Sequence, residues 1–568
     1  MKKLKTMKKF LLFITISFSL LFLFENCSED FLEKNKLGEE TVGTFYTTEE
    51  NCEMALTAAY GVLITRFGFA RNFWAFGDVA SDDSEAAGEQ GGGDQPSCQR
   101  IDALNIVPGN EYLSGFYDDI YQGIYRCNVA IENIPQADFD QTKKNRLIAE
   151  ARFLRAFFHF HLNLVYGGVR IVDHVLLPDE YRGGRSSLAE VLHFVQAEMD
   201  TIAEILPATY SASNSGRATS GAALGYQLKA LVFESSYAQL AGTAKDPSNY
   251  FDGCEEKWAE ALDVFNDIEA LGVYSLEPDY ADLWPVAGEN SPEHIFTGHS
   301  VSLGAGGGIE DINSGILGGV QCVYQACRSY YIDVDDDNDF SNDTIIEENG
   351  RVGLYGLNAP TYELFAEFEE GDPRRDISFV TEGKIIPLIR RDGEFDTLKA
   401  APSFASPTLM NNAKYDPLPH EWIDPIKHYG PRDIKFLRYA EVILLAAEAA
   451  VQDDNPELGR VLVNRIRARA RNSGVTSDVP EDYFSPITLE EVMHERRCEL
   501  ALEAHRYFDI VRWGIAEEKL TGTYRATDTL GGQTGSPLEW IPGKHEFFPI
   551  PSNEISLNQG EMDQNPNY

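Results

Sequence analysis

The fold class follows from the sequence LRYAEVILLAAEAAVQ at residues 437–452, in which apolar side chains recur every three or four positions. Such spacing predicts a helix with one apolar face. The residues that share this face are Phe436, Tyr439, Ile443, Ala447 and Ala450. Because the alanines are small, a second helix can approach closely, so the stretch predicts one member of a packed helix pair.

The residues that follow supply the start signals of two more helices. Asn455 and Pro456 suit the N-cap and first turn of a helix that runs to about Arg471. Thr488 and Glu491 have the spacing of a capping box for the next one. Helix pairs of this length are typical of tetratricopeptide repeats, and a plain helical bundle is the alternative.

Further helical segments precede this region and alternate with long irregular stretches. Thr47 and Glu50 predict a capping box for a first helix. Helical spacing continues near residues 116–134, 142–166, 187–206, 219–241 and 255–271. The irregular stretches cover 84–112, 298–350 and 372–432. A helical scaffold with long loops suits a binding protein, because the scaffold is rigid and the loops recognise ligands.

Composition excludes several classes of partner. The 568 residues include 90 acidic and 48 basic side chains, and the formal net charge is -42. A chain of this charge repels nucleic acid and has no basic face for an anionic membrane. The sequence has no P-loop, dinucleotide fingerprint or Ser/His/Asp motif, so it gives no positive sign of an enzyme or of a catalytic residue.

The N-terminus carries an export signal. Five lysines among the first nine residues precede an apolar run from Phe10 to Phe24, and Cys27 follows shortly after. This run is too short to span a membrane comfortably and is typical of a signal peptide. We expect cleavage after residue 26 and a lipid anchor on Cys27. Glu25 and Asn26 stand where small residues usually precede such a cysteine, so a plain signal peptide is the alternative.

Several segments resemble the SusD/RagB family of Bacteroidetes lipoproteins. They are YQGIYRCNVAIENIP (121–135), AEARFLRAFFHFHLNLVYGGV (149–169), ELFAEFEEGDPRRDISF (363–379), LRYAEVILLAAEAAVQ (437–452), VNRIRARAR (463–471), HERRCELALEAHRYFDIVRWG (494–514) and the C-terminal FFPIPSNEISLNQGEMDQNPNY. They follow one another in the family's order, and the resemblance covers nearly the whole chain after the signal peptide.

The resemblance implies a mainly α fold, in which about four tetratricopeptide-like helix pairs pack against a loop-rich region with few short strands. It implies a single domain over residues 27–568, with an N-terminal part near 27–240 and a C-terminal part near 255–568. It also implies a palmitate-bearing lipoprotein on the outer face of the outer membrane. The acidic tract after Cys27, which begins Ser28-Glu29-Asp30, resembles the signal for that location.

The implied function is to bind an oligosaccharide and deliver it to a SusC-like TonB-dependent transporter. By resemblance, the loop after ASDD (80–83) and the region after EHIFTGHS (293–300) form the glycan site. The candidate residues there are Trp74, Asp83, Gln90, Asp94, Gln95, Arg100, Tyr112, Tyr324, Arg328, Tyr330 and Tyr331. Glycines in the first loop stand where a starch binder often has tryptophan, which puts a starch ligand in doubt.

Three other groups have structural explanations. The charges of 495–512 alternate as in a network of ion pairs along a helix, with arginines that clamp carboxylates. His159 and His161 are two residues apart and so fall on different helix faces, which favours core or surface positions over a shared metal. Cys322 and Cys327 could close a disulfide, although spacing alone does not give connectivity.

One acidic loop raises the question of calcium. Asp333, Asp335 and Asp337 alternate as at the start of a calcium loop. Asn338 stands where that loop needs glycine, and Thr344 stands where it needs a bidentate glutamate. We therefore expect a solvated acidic loop and no cofactor, with an irregular calcium site as the alternative.

Three rival functions stay open beside glycan delivery. A RagB-like variant would carry peptides to a peptide transporter, and the glycine-rich first loop is compatible with this. An enzyme would hydrolyse a polysaccharide. A structural lid would order the transporter complex without any ligand affinity of its own.

Overall fold

The structure is a computed structural model. It describes residues 45–87, 95–300, 320–327, 330–332, 344–346, 355–381, 383–389, 395–400, 408–416, 432–525 and 537–568. The α-helices are α1 Glu49–Tyr60, α2 Pro96–Asp102, α3 Glu111–Asn133, α4 Gln141–Tyr166, α5 Leu188–Ala203, α6 Ser220–Leu240, α7 Trp258–Leu271, α8 Val320–Gln325, α9 Tyr362–Glu367, α10 Pro373–Ser378, α11 Tyr439–Gln452, α12 Pro456–Arg471, α13 Leu489–Glu499, α14 Arg506–Arg512, α15 Ala516–Leu520 and α16 Ser552–Leu557.

The strands are short and pair only antiparallel. They are β1 Ser84–Ala86, β2 His294–Gly298, β3 Tyr330–Ile332, β4 Thr344–Ile346, β5 Asn358–Pro360, β6 Phe379–Thr381, β7 Ile385–Ile389, β8 Phe395–Ala400, β9 Met410–Asn412 and β10 Ile434–Arg438. β1 pairs with β5, β2 with β10 and β6 with β9, while β4, β3, β8 and β7 form a sheet in that order.

The longer helices pack as successive pairs. α3 lies against α4, α5 against α6 and α11 against α12, while α7 packs against both α6 and α11. α11 occupies the centre, since it also contacts α6 and α13. A Cβ on Gly225 of α6 would lie 2.4 Å from Leu437 Cδ2, so this glycine permits the close approach of the β10–α11 junction. The predicted fold class, with about four helix pairs and few short strands, is confirmed.

Two of the predicted helix starts are confirmed. Asn455 Oδ1 accepts a hydrogen bond from the Leu458 N–H at 3.2 Å, and Pro456 occupies the first turn of α12. At α13, the Thr488 hydroxyl donates to Glu491 Oε2 at 2.8 Å within a full capping box. The Asn455 bond and the backbone bonds of the capping box satisfy N–H groups that the start of each helix leaves without a partner.

Two boundaries differ from the sequence prediction. The cap of α1 is Thr48 rather than Thr47, because the Thr48 hydroxyl accepts from the Asn51 N–H at 3.2 Å. Phe436 lies in β10 and not in the helix, which begins at Tyr439. Pairing with β2 keeps the backbone before Tyr439 extended, and the apolar spacing alone gave no sign of this pairing.

An aromatic cluster forms the centre of the hydrophobic core. The ring of Phe157 lies 5.4 Å from Phe69, 5.1 Å from Phe436, 5.3 Å from Phe296 and 5.0 Å from Tyr226, between centroids. Most of these contacts are edge-to-face, the arrangement that aromatic rings favour. The cluster joins α4, α6 and the β2–β10 pair, so both halves of the chain share one core.

The two histidines of α4 are core residues, as one of the sequence alternatives held. His159 and His161 are both buried, and the Nδ1 atoms lie 2.8 Å and 2.9 Å from the carbonyl oxygens of Arg155 and Phe157. Cys322 and Cys327 are present as thiols.

A row of three buried carboxylates, which we call the carboxylate row, consists of Glu495, Glu499 and Glu503. Arg374 of α10 spans the first two, with Nη1 at 2.6 Å from Glu495 Oε1 and 3.1 Å from Glu499 Oε2. Arg438 spans the last two, with Nη1 at 3.1 Å from Glu499 Oε1 and Nε at 2.7 Å from Glu503 Oε2. The predicted clamping of carboxylates by arginines is confirmed.

Further cations complete this network. Arg467 lies 2.9 Å from Glu495, Lys414 lies 2.7 Å from Glu503, and Arg469 pairs with Glu499. Burial alone would raise the pKa of Glu499, but Arg469, Arg438 and Arg374 outweigh it and lower that pKa to about 2. The network therefore holds Glu499 ionised inside the protein.

Replacing one carboxylate of the row should destabilise the fold strongly. In Glu499→Gln, three buried guanidinium groups lose a charged partner, and such losses cost about 3–5 kcal/mol. Denaturant unfolding measures this loss. Glu490→Gln, an exposed change on the same helix, is the matched control and should cost less than ~0.5 kcal/mol. Equal stability of the two variants would contradict a structural role for the row.

Acid should weaken the same network. Because the pKa of Glu499 is lowered from 4.5 to about 2, its contribution to stability is present above pH 4.5 and is lost as pH falls toward 2. We expect the free energy of unfolding to fall over this interval, measured by denaturant titration at several pH values. The Glu499→Gln variant should show a shallower slope, and an identical slope would count against the assignment.

Candidate functional site

An irregular helical segment places one arginine at the edge of the core. Residues Arg66–Phe73 form a π-helix with a kink at Gly68, where the backbone leaves helical angles (φ -82°, ψ -121°). The side-chain amide of Asn72 donates to the Tyr112 carbonyl oxygen at 2.9 Å and also to that of Phe67. These bonds fix the segment against α3, and Arg71 projects beside that helix.

Arg71 gathers side chains from four parts of the chain. Its Nη2 donates to Gln95 Oε1 at 2.6 Å and to Glu111 Oε1 at 2.8 Å. The guanidinium carbon lies 4.6 Å from the ring centroid of Tyr112 and 5.6 Å from that of Tyr324. We call the group the Arg71 cluster; its members are Phe67, Arg71, Gln95, Glu111, Tyr112, Tyr324 and Tyr355.

Gln95 reaches this cluster from a strained backbone. Its φ of 43° and ψ of 60° lie in the left-handed region, which a residue with a side chain adopts at a cost of about 1 kcal/mol. It precedes Pro96, the first residue of α2. Its Oε1 also accepts from the Tyr112 hydroxyl at 3.2 Å. Strain that surrounding contacts maintain is frequent at binding sites.

A buried polar network positions the tyrosine of α8. Asn358 Nδ2 of β5 donates to Gln325 Oε1 at 2.8 Å and to Asp78 Oδ2 at 2.9 Å. Asp78 Oδ1 also accepts from the Ala504 N–H at 2.8 Å, and burial raises the pKa of Asp78 to about 7. Tyr324, next to Gln325, thereby takes a fixed place beside Arg71.

The outer side of the cluster offers the groups that recognise a neutral polar ligand. Phe67 is 43% exposed and the side chain of Glu111 is 59% exposed. Tyr355 is partly exposed and stacks on Tyr324 at 5.3 Å with planes 14° apart. Arg71 itself is 5% exposed, and within the described part of the chain its Nε finds no acceptor. Aromatic faces thus lie beside planar hydrogen-bonding groups.

The structure brings three of the sequence-predicted residues together, namely Gln95, Tyr112 and Tyr324. Three others lie elsewhere. Trp74 is buried and borders an internal cavity. Asp83 is also buried, with Oδ1 at 2.7 Å from Arg497 Nε, and Arg100 is exposed on α2. No observation tests the prediction that any of the six contacts a glycan, so it stays a prediction.

The remaining candidates lie wholly or partly outside the description. Tyr330 and Tyr331 form part of β3, and only their backbone is described. The other predicted positions are outside the described residues: Cys27, Gln90, Asp94, Arg328, Asp333, Asp335 and Asp337. In the ranges that are described, no three His, Cys, Asp or Glu side chains converge as a metal site would require.

The sequence did not indicate four members of the cluster: Phe67, Arg71, Glu111 and Tyr355. The signal that was available is RFGFARNFW at 66–74, where an arginine stands among aromatic residues. Because its backbone is π-helical, neither a 3.6-residue nor a two-residue period reveals which of these side chains share a face.

The fold is a helical scaffold whose irregular connections carry the Arg71 cluster at the surface. A model of the SusD family matches residues 355–568, and a model described as "Starch-binding associating with outer membrane" matches residues 84–229. Together the matched regions make up more than half of the chain. The chain belongs to the SusD family.

Individual proteins agree with this assignment. A SusD-like protein of Bacteroides ovatus is 25% identical over 505 residues, which cover 86% of this chain and 80% of that protein. A laminarin-binding SusD-like protein superposes with a TM-score of 0.68 at 23% identity, covering 92% of this chain and 100% of its own. Surface glycan-binding protein A of Bacteroides thetaiotaomicron, in complex with laminarihexaose, gives 0.68 at 19% identity with the same coverages. These likenesses establish a common fold.

The described helices are too short or too polar for a membrane span. Throughout the described ranges, none is both long and apolar enough to cross a bilayer.

Proposed function

We propose that the protein is a lipoprotein of the outer cell surface that binds an oligosaccharide or polysaccharide at the Arg71 cluster. It passes the bound glycan to a SusC-like TonB-dependent transporter and does not itself cleave it. The observation that carries this proposal is the set of aromatic rings and planar polar groups that the cluster presents at the surface. Family membership supports the same function.

The chemistry of sugars matches the cluster. A pyranose presents flat C–H faces that stack on aromatic rings, and its hydroxyls bond to carboxylate, amide and guanidinium groups in pairs. Phe67 and Tyr355 offer the rings, while Gln95 and Glu111 offer the polar atoms. Since Arg71 already has a carboxylate partner and the chain carries a net charge of -42, we expect neutral glycans to bind better than acidic ones.

Similar structures indicate where to begin. One is named for laminarin and another is a complex with laminarihexaose. Laminarin is therefore the first polysaccharide to test, followed by plant, fungal, host and bacterial polysaccharides. If calorimetry with a peptide mixture gave heat of binding while no glycan retarded the protein in gels, the RagB-like peptide carrier would be favoured instead.

Removing the exposed rings should weaken glycan binding without unfolding the protein. Affinity gel electrophoresis compares wild type with Phe67→Ala and Tyr355→Ala in gels that contain laminarin. We expect each variant to bind about tenfold more weakly, since about 1.4 kcal/mol of stacking is lost. The length of the glycan chains should stay unchanged after incubation, because the protein does not hydrolyse them.

The matched control for these variants is Tyr125→Ala. Tyr125 is 54% exposed on α3 and is not a member of the Arg71 cluster. Its loss should leave retention unaltered. Retention of both Phe67→Ala and Tyr355→Ala at the wild-type level would remove the Arg71 cluster as the site. Shortened glycan chains would identify an enzyme.

The anchor has its own test. We expect the mature protein to begin at Cys27 with attached acyl chains, which mass spectrometry detects directly. Cys27→Ala should then be lost from the membrane fraction of the host cell, because the acyl chains provide the apolar area that holds the protein there. An unmodified Cys27 in the wild-type protein would refute the lipid anchor.

A further inference from the structure

A cleft beside strand β2 shares no lining residue with the Arg71 cluster. It forms where residues 208–219 face residues 273–274 and 289–299, and its volume is about 250 Å³. A water molecule occupies roughly 30 Å³ in the liquid, so the cleft has room for a ligand much larger than one water. It is also smaller than the ~300–1,000 Å³ typical of pockets for drug-sized ligands.

Two tyrosines form walls of this cleft, and each is held in place. The Tyr210 hydroxyl donates to Glu150 Oε1 at 3.1 Å. The Tyr274 hydroxyl lies 2.9 Å from Thr219 Oγ1, and a Cβ on Gly221 would lie 2.2 Å from the Tyr274 ring. Both rings remain partly exposed. Rings fixed in this way lose little conformational freedom when a ligand stacks on them.

His299 supplies a third ring. Its Nδ1 lies 3.0 Å from Asp433 Oδ2, and its side chain is 35% exposed. The ring lies directly over Gly216, where a Cβ would approach His299 Cδ2 to 2.0 Å. The glycine therefore lets the ring lie close to the backbone of the opposite wall.

His294 lines the cleft with a neutral ring whose Nε2 atom lies buried behind the surface. Its Nδ1 lies 3.3 Å from the Glu289 carbonyl oxygen, which can only accept, so Nδ1 carries the hydrogen. Burial lowers the pKa of His294 to about 3, so the ring is neutral at physiological pH. Its buried Nε2 is then a bare acceptor, and no donor reaches it from the described residues. Buried acceptors of this kind normally have a partner.

Glu289 adds a carboxyl group that suits hydroxyls. Its Oε1 accepts from the Asp433 N–H at 3.0 Å. Burial, together with the nearby Asp433 carboxylate, raises the pKa of Glu289 to about 7. Near neutral pH this carboxyl is only partly ionised, which weakens its attraction for a cation and lets it either donate or accept. The exposed side chain of Asn290 stands beside it.

We propose that this cleft is a second carbohydrate site, which takes one uncharged pyranose unit between Tyr210, Tyr274 and His299 and offers the sugar hydroxyls the side chains of Glu289 and Asn290. The unit is either a free monosaccharide or the end of a short chain. The site is independent of the Arg71 cluster, since every group that carries it belongs to other segments.

Hydrogen–deuterium exchange of the purified protein tests the proposal segment by segment. The probes are glucose, galactose, mannose and xylose as free sugars, and laminarihexaose as a short chain. We expect slower exchange in peptides that cover 208–219 and 289–299. Protection by a monosaccharide identifies a free-sugar site, and protection by laminarihexaose alone identifies a chain-end site. No protection by any probe would overturn the proposal.

Two variants and a control separate binding from general stabilisation. Thr209→Trp places a bulky ring on the exposed rim of the cleft and should abolish the protection, while Asn290→Ala should weaken it. Thr201→Trp makes the same change at an exposed position of α5 outside the cleft and should keep the protection. Protection that persists in Thr209→Trp would refute the site. The Phe67→Ala variant should retain cleft protection even where it loses laminarin retention, so the two sites can fail separately.

Discussion

The pairing of buried carboxylates with guanidinium groups along Glu495, Glu499 and Glu503 is the constraint on which the rest of the structure depends. Their partners come from α10, from the β10–α11 junction and from α12, so one row of charge joins four separate segments. Such networks add little net stability compared with an apolar core, because burying ions is costly. Their geometry is demanding, however, and a guanidinium fork tolerates few alternative arrangements. The network thus determines how the irregular C-terminal segments lie on the helix pairs.

Much of the helical scaffold could be predicted because its signals are local. Asn455 with Pro456, and Thr488 with Glu491, mark helix starts through contacts three residues apart. The presence of an ion-pair network was also readable from charge alternation. Which residues pair within the network could not be predicted, because Arg374 and Glu499 are 125 residues apart and no local pattern indicates such a pairing. The strand that contains Phe436 could not be predicted for the same reason, because its partner β2 is distant in sequence.

The proposed binding surface was predictable only in part. Resemblance to a family pointed to Gln95, Tyr112 and Tyr324, which the structure gathers around one guanidinium. Arg71 itself lies in a π-helical segment, where no regular period applies. The buried bonds of Asn358 to Asp78 and Gln325 then set the position of Tyr324. Such positioning depends on tertiary contacts, so loop residues can be suggested from sequence while their geometry cannot.

The position of the carboxylate row in the sequence also determines when its ion pairs can form during synthesis. Glu495, Glu499 and Glu503 are made after most of their cationic partners, which lie between residues 374 and 469. Until they emerge, those guanidinium groups have no carboxylates to enclose them, and the core cannot close around uncompensated charge. A nascent chain that has not yet reached Glu495 is therefore incompletely packed. Such a chain stays accessible to proteins that bind unfolded polypeptide until the three carboxylates have emerged.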